Sequence, residues 1–140
     1  MLWALNNEKW LRKKADSISE QNIKFYCTEL GIKPPQLVVK NLKNRWGSAT
    51  KDNVINLNVN LLKAPESVIK YIILHELCHL KIKEHSHHFW DLLHMFMPDY
   101  QKNIKWLQTN GRNLVKGTDL QTKWYWLSTK NKLDYTQVLC

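Results

Sequence analysis

At 140 residues and 44% hydrophobic content, the chain has the size of one domain and enough apolar mass for a single core. It contains no apolar run of the roughly 18 residues a membrane span requires, and its first ten residues lack the basic start and sustained apolar stretch of a signal peptide. Three cysteines, Cys27, Cys78 and Cys140, form no even, spaced framework, which argues against a disulfide scaffold and for a reducing, cytoplasmic setting.

The first element in chain order is an amphipathic helix from about Leu5 to Leu30, with Leu11, Ala15, Ile18, Phe25 and Leu30 near one side. Gly31 stops it, and Pro34-Pro35 keeps it stopped. Gln36 to Lys40 reads as a strand through Leu37, Val38 and Val39. Lys51-Asp52-Asn53 reads as a hairpin turn leading into a strand, Val54 to Leu61. There Ile55, Leu57, Val59 and Leu61 alternate with Asn56, Asn58 and Asn60. These strands are expected to form a small antiparallel sheet.

Pro65 followed by Glu66 suits the first turn of a second helix, because that turn does not need proline's missing N–H and the acid complements the helix dipole. From Val68 to Ile82 neither Gly nor Pro interrupts, and the run is apolar nearly all round, as in a helix buried at the centre of a small domain. Ser86 is a suitable N-cap for a third helix carrying Phe89, Trp90, Leu92, Leu93 and Phe96 and bounded by Pro98. A short helix follows around Tyr100 to Gln108. The order predicts one α+β domain over residues 1–116, with 117–140 as a C-terminal extension. That extension carries Trp124-Tyr125-Trp126-Leu127, which is too apolar for a free tail and is expected to pack on the body or on a partner.

Within the second predicted helix, residues 75–79 read His-Glu-Leu-Cys-His. Helical spacing puts His75 and His79 about 40° apart on one face, where both imidazoles can address one metal ion, while Glu76 sits beside it. A Zn²⁺ held by two neutral imidazoles and a third ligand keeps a position open for water, and a neighbouring carboxylate can take that water's proton. The pattern is therefore a hydrolytic zinc signature wherever the segment is helical. Of the four later histidines, His85 would face away if the helix ran straight on. A third ligand thus requires the chain to turn after about residue 83, and His85 at the mouth of the third helix could then swing back. The cysteine between the two histidines, Cys78, points elsewhere and reads as a small buried side chain.

Taken together, His75-Glu76-Leu77-Cys78-His79-Leu80, then His85-Ser86 and Phe89-Trp90, preceded by Arg45-Trp46-Gly47-Ser48 and Ile55-Asn56-Leu57-Asn58, resemble the YgjP-like family of zinc metallopeptidases. The arrangement is also similar to SprT-like proteases and the wider zincin group. The resemblance runs over roughly residues 8–115. It implies a minimal zincin-like fold, a Zn²⁺ cofactor with His85 as third ligand, Glu76 as general base, and a peptide or protein substrate. By the same resemblance, an extended peptide would pair with an edge strand near residues 45–53 or with the strand after it. Arg45, Trp46, Asn56 and Asn58 are accordingly candidates for contacting substrate, although the asparagine row equally suits a solvated polar face. Asp91, Asp99 and Tyr100 are candidates for orienting an imidazole or stabilising an oxyanion.

Charge raises a second possibility. The formal net charge is +9, with twelve basic and six acidic residues in positions 1–70. Arg12-Lys13-Lys14, Lys40, Lys43 and Arg45 lie there among Trp3, Trp10 and Trp46, a combination able to engage nucleic acid and compatible with a SprT-like protease acting on DNA-bound proteins. In a third reading the zinc merely clamps two helices of a non-catalytic interaction module. A structural site normally fills all four positions with protein ligands, and no fourth is evident in the sequence.

Overall fold

A computed structural model describes residues 5–42 and 44–114, with side chains in the first helix described at 13, 14, 16, 18 and from 22 onward. Helix α1 spans Leu5–Leu30 and ends where glycine permits: Gly31 adopts φ 69°, and the Ile32 N–H donates to the Cys27 carbonyl across the reversal. Its buried side is set by Ile18, Ile23, Tyr26, Cys27 and Leu30. Phe25, expected on that side, is 56% exposed, because the adjacent Tyr26 takes the inward place and packs edge-on against Phe96.

Strands β1 (Gln36–Lys40), β2 (Gly47–Ala49) and β3 (Val54–Asn58) form a sheet in the order β1-β3-β2. Only β2 and β3 make the expected antiparallel hairpin. The β1 strand pairs with β3 in parallel, Gln36 opposite Val54 and Lys40 opposite Asn58, so the sheet is mixed. The cause is topological: the chain passes β3 after leaving β1 and places β2 on its far side, leaving β1 and β3 pointing the same way.

The hairpin turn closes with Asn53 at φ 61°, a conformation asparagine tolerates better than most residues. Asn53 also ties the turn to the α1–β1 connection. Its side-chain amide donates to the Pro34 carbonyl at 3.2 Å, and its own carbonyl accepts the Gln36 N–H at 3.0 Å.

The last strand is shorter than its alternation suggests. At Asn58 the side-chain oxygen accepts the Asn60 N–H at 2.9 Å, capping a 3₁₀ turn over Val59–Lys63 that carries Leu61 and Leu62 inward. Helix α2 (Glu66–Lys81) follows and forms the centre of the molecule, buried from Val68 to Cys78 at every residue but Lys70. Helix α1 lies along it, with Lys81 donating to the Leu30 carbonyl at 2.7 Å and Lys14 to the Ala64 carbonyl at 3.2 Å. Helices α3 (His87–Phe96) and α4 (Tyr100–Leu114) complete the core through Phe89, Leu93, Ile104 and Leu107.

The last helix runs past the expected end at Gln108. Gly111 lies inside it, against the buried Trp46 ring, where a Cβ would stand 3.0 Å from Cζ2. The architecture is the α+β arrangement of a minimal zincin. Residues 117–140, including Trp124 to Leu127 and Cys140, lie outside the described part. No described helix is long and apolar enough to cross a membrane.

Candidate metal centre

One turn apart on α2, His75 and His79 bring their Nε2 atoms to 3.2 Å. The chain then turns as the third ligand requires. Ile82 leaves the helix in extended conformation (φ −129°, ψ 111°), its N–H still donating to the Cys78 carbonyl, and Ser86 begins α3 at φ −80°, ψ 173°. Between them His85 reaches back to put its Nε2 2.8 Å from that of His79. Among the described residues, these three form the one cluster of metal-ligating groups.

The donor set fits a metal ion. A tetrahedral Zn²⁺ with Zn–N bonds of about 2.0–2.1 Å holds its nitrogens about 3.3 Å apart, close to the first separation and somewhat above the second. Nδ1 of His79 lies 3.2 Å from the Ile82 carbonyl, an acceptor that fixes the proton on Nδ1 and leaves the Nε2 lone pair directed at the other two rings. Nδ1 of His75 has the Tyr71 hydroxyl at 3.4 Å. These partners, a backbone carbonyl and a tyrosine one helical turn back, were not singled out from the sequence, although the i, i+4 spacing of Tyr71 and His75 could have marked the second.

Burial keeps the imidazoles in the ligating form. It holds His75 well below the ordinary imidazole value, assisted by the neighbouring His79 and His85. His79 is lowered by burial too, partly offset by the Ile82 and Lys83 carbonyls. Aromatic rings fix the orientation: Phe89 stacks on His79 with centroids 4.4 Å apart and meets His75 edge-on, while Trp90 stacks on His85. Behind them Trp90 and Tyr71 both stack on Tyr100.

Glu76 is 1% exposed, yet it belongs to the wall of a cleft of about 880 Å³ that also contains His79 and His85. It is overlain by β2. At Gly47 a Cβ would meet Ile72 Cγ2 at 3.1 Å and Glu76 Cγ and the Asn56 carbonyl at 3.2 Å, so glycine is what lets the strand lie this close to the helix. Ser48, Ala49 and Thr50 continue the same wall.

The remaining candidates separate sharply. Arg45 is exposed and lines the cleft. Trp46, a candidate for contacting substrate, is enclosed in the core, because its ring fills the space that Gly111 leaves. Asn58 is 0% exposed and offers no surface to a ligand: its amide donates to the Leu42 and Arg45 carbonyls, both at 3.1 Å, and so holds the loop before β2. Asn56 is buried as well, donating to Ser48 Oγ across the hairpin at 3.1 Å. Asn56 and Asn58 are thus neither cleft border nor solvated face: one amide ties the hairpin to the Ser48 hydroxyl and the other satisfies the backbone of an irregular loop.

Asp91 pairs with the exposed His87 and Asp99 with Lys102, so neither orients a ligand. Of the residues behind the nucleic-acid expectation, the side chains of Trp3, Trp10, Arg12 and Lys43 lie outside the described part. Lys14 is turned inward to Ala64, and Trp46 is in the core.

Comparison with known proteins agrees with this geometry. A solved structure described as the metallopeptidase zymogen of Pyrococcus abyssi abylysin is similar with TM-score 0.59 and 26% identity, over 64% of this chain and 91% of that one. The metallopeptidase zymogen of Methanocaldococcus jannaschii jannalysin gives TM-score 0.55 and 26% identity, over 64% and 94%. A search of curated proteins finds no match. The model of the YgjP-like metallopeptidase domain matches residues 4–110, which takes in every element that builds the three-histidine cluster. On that span the chain belongs to the YgjP-like family and is a metallopeptidase.

Proposed function

We propose that the chain hydrolyses peptide bonds with a zinc ion held through Nε2 of His75, His79 and His85, and with Glu76 as general base. The observation that carries the reading is the convergence of three imidazole nitrogens, one buried and two partly buried, beside a buried carboxylate at one cleft. Zinc in a three-histidine site acts as a Lewis acid that brings the pKa of water to about 7 and polarises a carbonyl. Glu76 takes the proton of the attacking water and returns it to the leaving amine, the double role a single carboxylate can serve in an enclosed site. The neutral histidines keep positive charge off the donor atoms, and the Phe89 and Trp90 rings exclude water from one side.

Strand β2 supplies the substrate track. It lies at one margin of the sheet, and its Ser48 and Ala49, with Thr50 just beyond, line the cleft, so an extended peptide can add alongside it through main-chain hydrogen bonds that are indifferent to sequence. Three donors from the protein suit catalysis better than a purely structural clamp, which would normally enlist a fourth.

Metal analysis combined with a peptide-cleavage screen of wild type and Glu76→Gln tests the proposal. The variant should retain one zinc per chain and lose about 10²–10⁴-fold in kcat. Undiminished cleavage by a zinc-loaded variant would remove Glu76 from its role, and a wild-type protein that binds no zinc would end the reading altogether.

A further inference from the structure

The cleft is lined by four cationic residues, Lys33, Arg45, Lys51 and Lys83, and by a single acid, the buried Glu76. All four are exposed, and among the described residues none is ion-paired. They come from four separate segments: the α1–β1 connection, the loop before β2, the turn after it, and the α2–α3 reversal. The acids next in sequence, Asp52 and Glu84, do not line the cleft. Asn53 fixes the geometry of two of these segments. Its amide is within 3.4 Å of the Lys33 carbonyl and 3.2 Å of that of Pro34, which pins the connection carrying Lys33 to the turn carrying Lys51.

We propose that this basic rim makes the cleft selective for acidic peptide segments, with Asp or Glu side chains on either side of the scissile bond. The proposal rests on the peptidase reading above and assigns its substrate class. Arg45 and Lys51 bracket the strand along which a peptide would lie, so they can meet carboxylates on opposite sides of the cleaved bond, while Lys33 and Lys83 add positive potential around the cleft. Cations gathered in a concavity raise the local concentration of an anionic ligand more than the same cations dispersed over a surface. Because the charge surrounds the metal ligands, the anion it attracts arrives at the reacting centre. That favours a substrate over a nucleic acid bound elsewhere.

The experiment compares two fluorogenic peptides of equal length, one carrying Glu at three positions on each side of the cleaved bond and the other Gln. Anisotropy of the same peptides on zinc-loaded Glu76→Gln gives binding free of cleavage. Wild type should favour the Glu peptide about 10-fold in kcat/KM at low salt, with most of the preference gone at 0.5 M NaCl. The K33E/K51E/K83E variant should reverse the ratio, and K33R/K51R/K83R should retain it; circular dichroism and zinc content establish that both are folded. Equal cleavage of the two peptides would overturn the charge preference and leave the peptidase reading intact. Tight, salt-sensitive binding of the Glu peptide without any cleavage would do the reverse. If a single-stranded oligonucleotide displaces the Glu peptide at equal charge concentration and binds more tightly in wild type, the rim serves nucleic acid and the proposal is wrong.

Discussion

Gly47 leaves room for Glu76: a methyl added at the glycine would stand 3.2 Å from the glutamate Cγ. The other two atoms it would meet, Ile72 Cγ2 and the Asn56 carbonyl oxygen, belong to the core and to the central strand, so neither yields easily. Gly47→Ala should therefore cost about 1–3 kcal/mol of stability and displace the carboxylate. A shift approaching 1 Å in a group that must meet a reacting atom costs up to about 10²-fold. The expected outcome is a loss of at least about 10-fold in kcat with zinc content unchanged, read by steady-state kinetics beside metal analysis. Normal kcat in a folded Gly47→Ala protein would show that this close approach does not position Glu76.

The aromatic shell makes a different prediction. Phe89 is buried and stacks on His79. Phe89→Ala removes the ring that orients two ligands and should weaken zinc binding about 10–100-fold, the usual cost of losing an orienting neighbour. It should also destabilise the metal-free protein by about 3–5 kcal/mol. Competition with a chromogenic chelator separates the two effects. His85→Ala should reduce affinity further while leaving the metal-free melting temperature nearly unchanged, since its imidazole is only partly buried.

Stability of the metal-free protein should depend on pH from both sides. Burial holds His75 well below the ordinary value of 6.5, and His79 is lowered too. As pH falls through about 6.5 the unfolded chain binds protons that the folded site refuses, so stability is complete above that pH and declines below it. Burial and the nearby Glu76 push the Cys78 thiol up from 9.0 to about 12. Here the unfolded thiol ionises first, so stability is complete below about pH 9 and falls as pH rises toward 12. Each group contributes at most about 1.4 kcal/mol per pH unit within its window. Thermal melts in chelator should give a plateau between the two limits, and Cys78→Ala should flatten its alkaline side.

Asn58→Leu tests the loop. It leaves the Leu42 and Arg45 carbonyls and the Asn60 N–H without their side-chain partner in the interior, at a cost of about 1–3 kcal/mol for each group left unsatisfied. Chemical denaturation should show a loss of at least about 2 kcal/mol. A neutral result would mean that water replaces the amide.

How much of this was legible in the sequence depends on the range of the interaction. The C-terminal end of α1 and the span of β1 follow from local chemistry at Gly31 and Pro34-Pro35, and α3 begins after Ser86 as indicated, although the serine side chain makes no capping hydrogen bond there. The metal cluster was legible too, because His75 and His79 share a helical face and Ser86 marks the turn that returns His85. What the sequence could not show depends on long-range contacts. The parallel pairing of β1 with β3 is set by a crossover that no local signal encodes. Trp46 has its place because Gly111, 65 positions later, leaves room for it. The alternation of Asn56 and Asn58 with apolar residues looks like an exposed face, since a polar side chain reads the same whether it meets water or a buried carbonyl. The true span of α4 was missed for a related reason: Gly111 reads as a breaker until its neighbour is seen.

Ile82 and Ser86, at the two ends of the joint, are extended, and the chain bends at Glu84 between them without any residue taking a positive φ. No glycine is needed there, so what delivers His85 is the number of links in the joint and not their identity. Substitution within it, His85 itself apart, should leave the delivery of that imidazole intact, whereas adding or deleting a single residue would swing it away from its two companions. Relatives of this chain should therefore vary in spelling across the joint and agree in its length.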